Sequence, residues 1–144
     1  MTITQALCTS FKREMLDEGH DIAADTIKIA LYTSSANLGA GTTAYTDASD
    51  PANQVANGSG YTSGGATLAS GAVSADSNTV IIDFADPSWT SASFTAAGAL
   101  IYNASNSNKA IAVLSFGGNF TVTAGTFTIV FPAADASNGL IRFA

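Results

Sequence analysis

Asp83-Phe84-Ala85-Asp86-Pro87-Ser88-Trp89, continuing to Gly98-Ala99-Leu100-Ile101-Tyr102-Asn103, is the stretch that decides the fold. It reads as one strand, a turn at Asp86-Pro87, and a second strand of small and apolar residues. The pattern is architecture and carries no catalytic chemistry. Working outward, Asn103 to Asn108 reads as a hairpin loop before a strand from Ala110 to Phe116. Gly117-Gly118-Asn119 and Ala124-Gly125 read as tight turns. The expected strands fall near 61–73, 78–84, 93–102, 109–116, 119–123, 126–131 and 139–143. Short strands at this spacing predict a mainly β chain, a single antiparallel β-sandwich of jelly-roll-like type.

Upstream, Thr26 to Thr33 alternates, with Ile27, Ile29 and Leu31 on one face and Lys28, Ala30 and Tyr32 on the other. That period of two predicts a strand. The segment 1–20 differs from everything after it. Ile3, Leu7, Phe11 and Met15 recur every four residues, with Leu16 beside them. This stripe predicts a short helix over 3–18, capped by Thr2 or Thr4 and ended by Gly19. It can plug one end of the sandwich or dock on a neighbouring subunit. Residues 34–59 read as a long loop, for which Tyr45 and Val55 are the expected points of attachment.

The 144 residues suit one domain, 1–144, large enough to bury a core without metal or disulfide. Only 11% of the residues are charged, against about 25% in an ordinary soluble domain. The net charge is −6, and beyond Lys28 the only cations are Lys109 and Arg142. No basic patch can be assembled to neutralise phosphates, so neither nucleic acid nor an anionic membrane is an expected partner. Cys8 is the sole cysteine, which excludes an intrachain disulfide and a thiolate cage. The opening Met1-Thr2-Ile3-Thr4 has neither the basic nor the apolar region of a signal peptide, and synthesis in a cytoplasm is expected. The strands are rich in Ala and Gly, as in Thr95-Ala96-Ala97-Gly98-Ala99. Small side chains bring little burial energy at about 0.8 kcal/mol per CH₂, and burying outer faces against another copy is one remedy.

Candidate chemistry is sparse. His20 is the only histidine and follows a predicted helix end, where a cation meets the helix dipole favourably. Asp47 with Asp50, and Asp83 with Asp86, are acidic pairs that could hold calcium, but neither follows a calcium-loop pattern, and turn chemistry explains them. Gly58, Gly60, Gly64 and Gly65 lack the spacing of a phosphate cradle. Asn57-Gly58-Ser59, Asn103-Ala104-Ser105 and Asn119-Phe120-Thr121 fit the glycosylation pattern, which without a leader is chance. Trp89 reads as a core or interface anchor before a sugar-stacking platform. No catalytic residue, metal or cofactor is implied. The residues expected to meet a partner are Ile3, Leu7, Phe11, Met15, Tyr45 and Trp89.

Several blocks together resemble a family of small virion proteins of tailed bacteriophages. They are Ser10 to Leu16, Asp25 to Thr33, Gly60-Tyr61-Thr62-Ser63-Gly64-Gly65, Asp83 to Trp89, Gly98 to Asn103, Asn108 to Leu114 and Phe127 to Asp135. The resemblance implies a structural part without enzymatic activity, made in the bacterial host and carried on the capsid surface. Within that class it implies a capsid decoration or cement protein, a trimer or dimer with the homotrimer preferred, that clamps the major capsid protein. A tail or head-fibre component, or a carbohydrate-binding module for host attachment, is the alternative.

Overall fold

The computed structural model describes residues 2–17, 19–45 and 53–143. In chain order the elements are β1 (Ala6–Leu7), α1 (Thr9–Leu16), β2 (Ile27–Tyr32), β3 (Ala66–Thr67) and β4 (Ala72–Asp76), followed by β5 (Thr79–Asp83), β6 (Ser88–Asn103), β7 (Lys109–Thr128) and β8 (Ile141–Phe143). They form two antiparallel sheets, one in the order β1-β7-β6-β2-β3 and one in the order β4-β5-β8. Among the described residues the chain is therefore mainly β, with the short helix α1, as its alternation and turn residues predict.

The deciding stretch folds as its residues predict. β5 ends at Asp83, β6 begins at Ser88, and the Asp86 carboxylate accepts the Phe131 N–H at 2.8 Å. The hairpin loop after Asn103 also stands where expected. Beyond that loop the chain departs from expectation. The turns expected at Gly117-Gly118-Asn119 and Ala124-Gly125 are absent, and three expected strands fuse into β7. The cause is β6, which pairs with β7 from Asn103↔Lys109 to Ser88↔Thr128. Register shifts along this ladder absorb the turn-forming residues, with Gly117 at φ 77° and Ala124 at φ 47°. A bulge keeps a strand paired where local sequence alone would turn it.

The N-terminal helix is also shorter than predicted. Ala6 and Leu7 pair with Val113 and Ala112, and Ile3 bridges to Leu38, so the chain runs along a sheet edge before turning into α1. Cys8, at φ −64° and ψ 134°, occupies the N-cap position expected for Thr2 or Thr4. Ile3 and Leu7 thus belong to the sheet, while Phe11 and Met15 belong to the helix. The helix ends as its sequence suggests, with Gly19 N–H donating to Glu14 O at 2.7 Å.

β2 is buried on both faces, not one, because it lies inside the five-stranded sheet with loop backbone against it. The Val55 N–H bonds Leu31 O at 2.9 Å, and the Leu31 N–H donates to the Tyr61 hydroxyl at 3.0 Å. Gly65, at φ +83°, lies so close to β2 that a Cβ there would sit 1.8 Å from Ile29 O. Only glycine meets both demands. The core joins Phe11 and Ile22 to β2, to Ile82 of β5, to Leu100 and Ile101 of β6, and to Ile111 and Val113 of β7.

Candidate functional site

The six residues expected to meet a partner do not converge. Phe11 is wholly buried, edge-on to His20 at 4.8 Å between ring centroids. Trp89 is 6% exposed, between Tyr61 at 6.4 Å and Phe127 at 6.0 Å. Neither offers surface to another chain, so both act as core anchors in this fold, while Leu16 beside the stripe is 87% exposed. Ile3 is half-buried over Gly98, where a Cβ would fall 2.8 Å from its Cγ2. Leu7 and Met15 are half-buried against the same core. Tyr45 stacks on Tyr102 at 4.5 Å, and its hydroxyl accepts from Gln54 Nε2 at 3.0 Å. Tyr45 and Val55 attach the expected 34–59 loop, through bonds from their N–H groups to Asn108 O and Leu31 O; Asp47 and Asp50 lie outside the described residues.

His20 serves structure. Its side chain is fully covered, and Nε2 meets Glu14 Oε1 at 3.0 Å. Asn103 Nδ2 has two protons to give; one goes to Asp25 Oδ2 at 2.7 Å and one to His20 Nδ1 at 3.1 Å. Asn103 Oδ1 in turn accepts the Ser105 N–H at 3.0 Å, which fixes the amide's orientation. Nδ1 therefore accepts, and Nε2 carries the proton shared with Glu14. The ring is a hydrogen-bonded tie between α1 and the end of β6. The bonds from Asn103 and from the Asp21 N–H hold the Asp25 carboxyl below its ordinary range. Among the described residues, no three His, Cys, Asp or Glu side chains group to hold a metal ion.

All four tyrosines of the chain converge beside β2 and the inner half of β6. The Tyr102 hydroxyl donates to Gly64 O at 2.6 Å. Burial pushes Tyr102 up to about 12, and raises Tyr32, Tyr61 and Tyr45 as well. These phenols stay protonated and pack as hydrophobes with one polar end. Cys8 is likewise silent: burial, reinforced by the Glu14 charge, pushes its thiol up to about 11.

The surface that sequence reasoning missed is the outer half of the β6–β7 hairpin. Beyond Gly98 and Ser115 neither strand has another sheet neighbour, so Ser88–Ala96 and Phe120–Thr128 form a two-stranded ribbon. One face carries Trp89, Phe94, Ala96 and, across the ladder, Phe127, Val122 and Phe120. Aromatic contacts run from buried Tyr61 through Phe94 and Phe127 to Phe116 and then Phe120, which is 53% exposed. The other face carries paired hydroxyls, Thr95 with Thr121 and Ser88 with Thr128, each at 2.8 Å. No charged residue occurs between Asp86 and Lys109 or between Lys109 and Asp135. The signal was legible as that charge-free run, but its meaning depends on the ribbon standing clear of the sheets.

The ribbon's two edges differ. On β6, Ser93 N–H donates to Ser59 O at 2.9 Å, so the 58–60 loop covers that edge. On β7, residues 117–121 are exposed; Phe120 and Thr121 pair with β6, and 116–119 fall in a register shift of that ladder. Between Gly118 and Thr123 this edge carries neither charge nor proline, and the register shifts that flank Phe120–Val122 are the bulges by which natural edge strands limit pairing. It is an uncharged, pleated and exposed surface. No helix among the described residues is long and apolar enough to cross a membrane. No protein-family model, characterised protein or solved structure matches the chain.

Proposed function

We propose that this chain is a non-enzymatic structural subunit of a tailed-bacteriophage particle, a decoration or cement protein seated on the major capsid protein at the outer face of the head. The sequence blocks that resemble phage virion proteins support the setting. The observation that carries an assembly role is the charge-free β6–β7 ribbon, whose β7 edge and Phe120 lie open on a molecule of net charge −6. An uncharged surface with an exposed aromatic side chain suits contact with other chains, which a subunit that works in many copies uses. Modest contacts at each copy, repeated over a shell, sum through multivalency.

The test is quantitative mass spectrometry of purified particles, counting copies of this chain per major capsid subunit. A one-to-one ratio or a simple fraction is expected. A handful of copies per particle would overturn the decoration reading and move the protein to the tail or a fibre.

A further inference from the structure

We infer that the niche between Lys28, Tyr32 and Tyr45, beside Gly64, is a site for one carboxylate, held by the Lys28 ammonium and the two phenol hydroxyls. The niche lies on β2, away from the ribbon, and does not depend on the ribbon's role. Three observations choose its ligand.

The first is convergence. Alternation along β2 sets Lys28 and Tyr32 on the same face, and Lys28 stands opposite Tyr102 in the ladder. A Cβ built on Gly64 would lie 3.5 Å from the Tyr102 hydroxyl, 3.7 Å from Lys28 Nζ and 4.0 Å from the Tyr45 hydroxyl. These polar ends surround one point, and glycine leaves room beside it. The second is the proton count. Gln54 is already engaged: Nε2 donates to the Tyr45 oxygen at 3.0 Å, and Oε1 accepts the Gly64 N–H at 3.4 Å. Tyr102 gives its proton to Gly64 O at 2.6 Å. Tyr32 is wholly buried, and its hydroxyl makes no hydrogen bond of ordinary length although Gln54 and Tyr45 face it. Burial raises both Tyr32 and Tyr45, so each keeps its proton and stays a donor. The third is charge. Lys28 is half-buried and enters no ion pair among the described residues, on a chain with 11 acidic residues to 5 basic ones. A buried donor left unpaired costs stability. A water would take one of these protons while bringing two of its own; a carboxylate brings acceptors alone and answers the charge as well.

The experiment is an NMR titration of the purified chain in which sodium acetate replaces sodium chloride at constant ionic strength. The signals of the Lys28 side-chain end and the Tyr45 ring are expected to shift together and to saturate. Lys28→Met is expected to weaken acetate binding by about tenfold or more, and Tyr45→Phe to weaken it less, each with an unchanged circular dichroism spectrum. Lys12→Met, at an exposed lysine of α1, is expected to leave binding intact. Shifts that never saturate, or that are as large in Lys28→Met, would overturn the inference. So would binding that appears only once Asp47→Asn and Asp50→Asn are introduced, the mark of an intrachain occupant. Copies per major capsid subunit then separate the two sources of the carboxylate. A lower ratio for Lys28→Met assigns it to an acidic side chain of the shell, and an unchanged ratio assigns it to a free small acid. Acetate that fails to bind a chain still found at a simple ratio on particles would refute the site while leaving the proposed function standing.

Discussion

From Ala96 to Asn103 every residue of β6 is buried, whereas from Ser88 to Thr95 only Trp89 and Ala92 are. β7 mirrors this: Ala110 to Val113 are buried, and Gly117 to Thr121 are exposed. The two halves belong to the same strands and differ in their neighbours. The inner half lies between β2 and β1, with tyrosines and aliphatic side chains above it. The outer half has only its own partner strand and the aromatic row that starts at Tyr61. A two-stranded ribbon alone is marginal in water, so that row and the covering loop hold it in place. Pairing supplies strand geometry, but layers supply burial, and one hairpin can be core at one end and interface at the other.

The comparison breaks most completely in alkali. A phenol whose folded pKa stands above its ordinary value contributes stability that is fully present below about pH 10 and lost as pH rises towards the folded value. Tyr102, Tyr32 and Tyr61 gather on the inner half, so cooperative unfolding is expected between about pH 10 and 12. Tyrosinate absorbance and circular dichroism should change together; tyrosine ionisation well before unfolding would show that the cluster is not closed. Next in size, Ile101→Ala removes a fully buried side chain of the inner half. It should cost about 2–5 kcal/mol in urea denaturation. Tyr102→Phe keeps the ring stacked on Tyr45 but strips the donor from Gly64 O, at about 1 kcal/mol. Smallest is Phe120→Ser on the outer half, expected within about 0.5 kcal/mol when measured on dilute, dissociated protein. A large loss there would mean that the ribbon's far end is core after all.

The sequence was readable where local chemistry and tertiary pairing agree. The Asp83–Trp89 corner and the Asn103–Asn108 loop carry turn residues at points where the chain does turn. Tyr45 and Val55, the apolar anchors in a polar stretch, do attach it. Reading failed where a distant partner overruled the local signal. Gly117-Gly118-Asn119 has turn chemistry, but β6 pairs with β7 on both sides of it, so it becomes a register shift within one strand. Ile3 and Leu7 have helical spacing to Phe11, but Leu38 and Ala112 draw them to the sheet. For the candidate surface, large aromatic and aliphatic residues were the natural choice, and Phe11 and Trp89 proved to be buried for the same property. The proposed surface instead lies on Gly, Asn, Thr and one phenylalanine, which single out nothing until the fold leaves residues 117–121 exposed.

Cys8, buried with its thiol held up near 11, gives the protein a built-in clock. Its N–H bonds Ile111 O at 2.9 Å, so the sulfur sits where α1 leaves the β1–β7 edge. A thiol reagent added to native protein reaches it only when that junction opens. The labelling rate then reports how often the helix plug lifts from the sheet, with no engineered probe. A cysteine placed on the ribbon would be the one site to react at once, separating the motion of the interface from the opening of the core in a single time course.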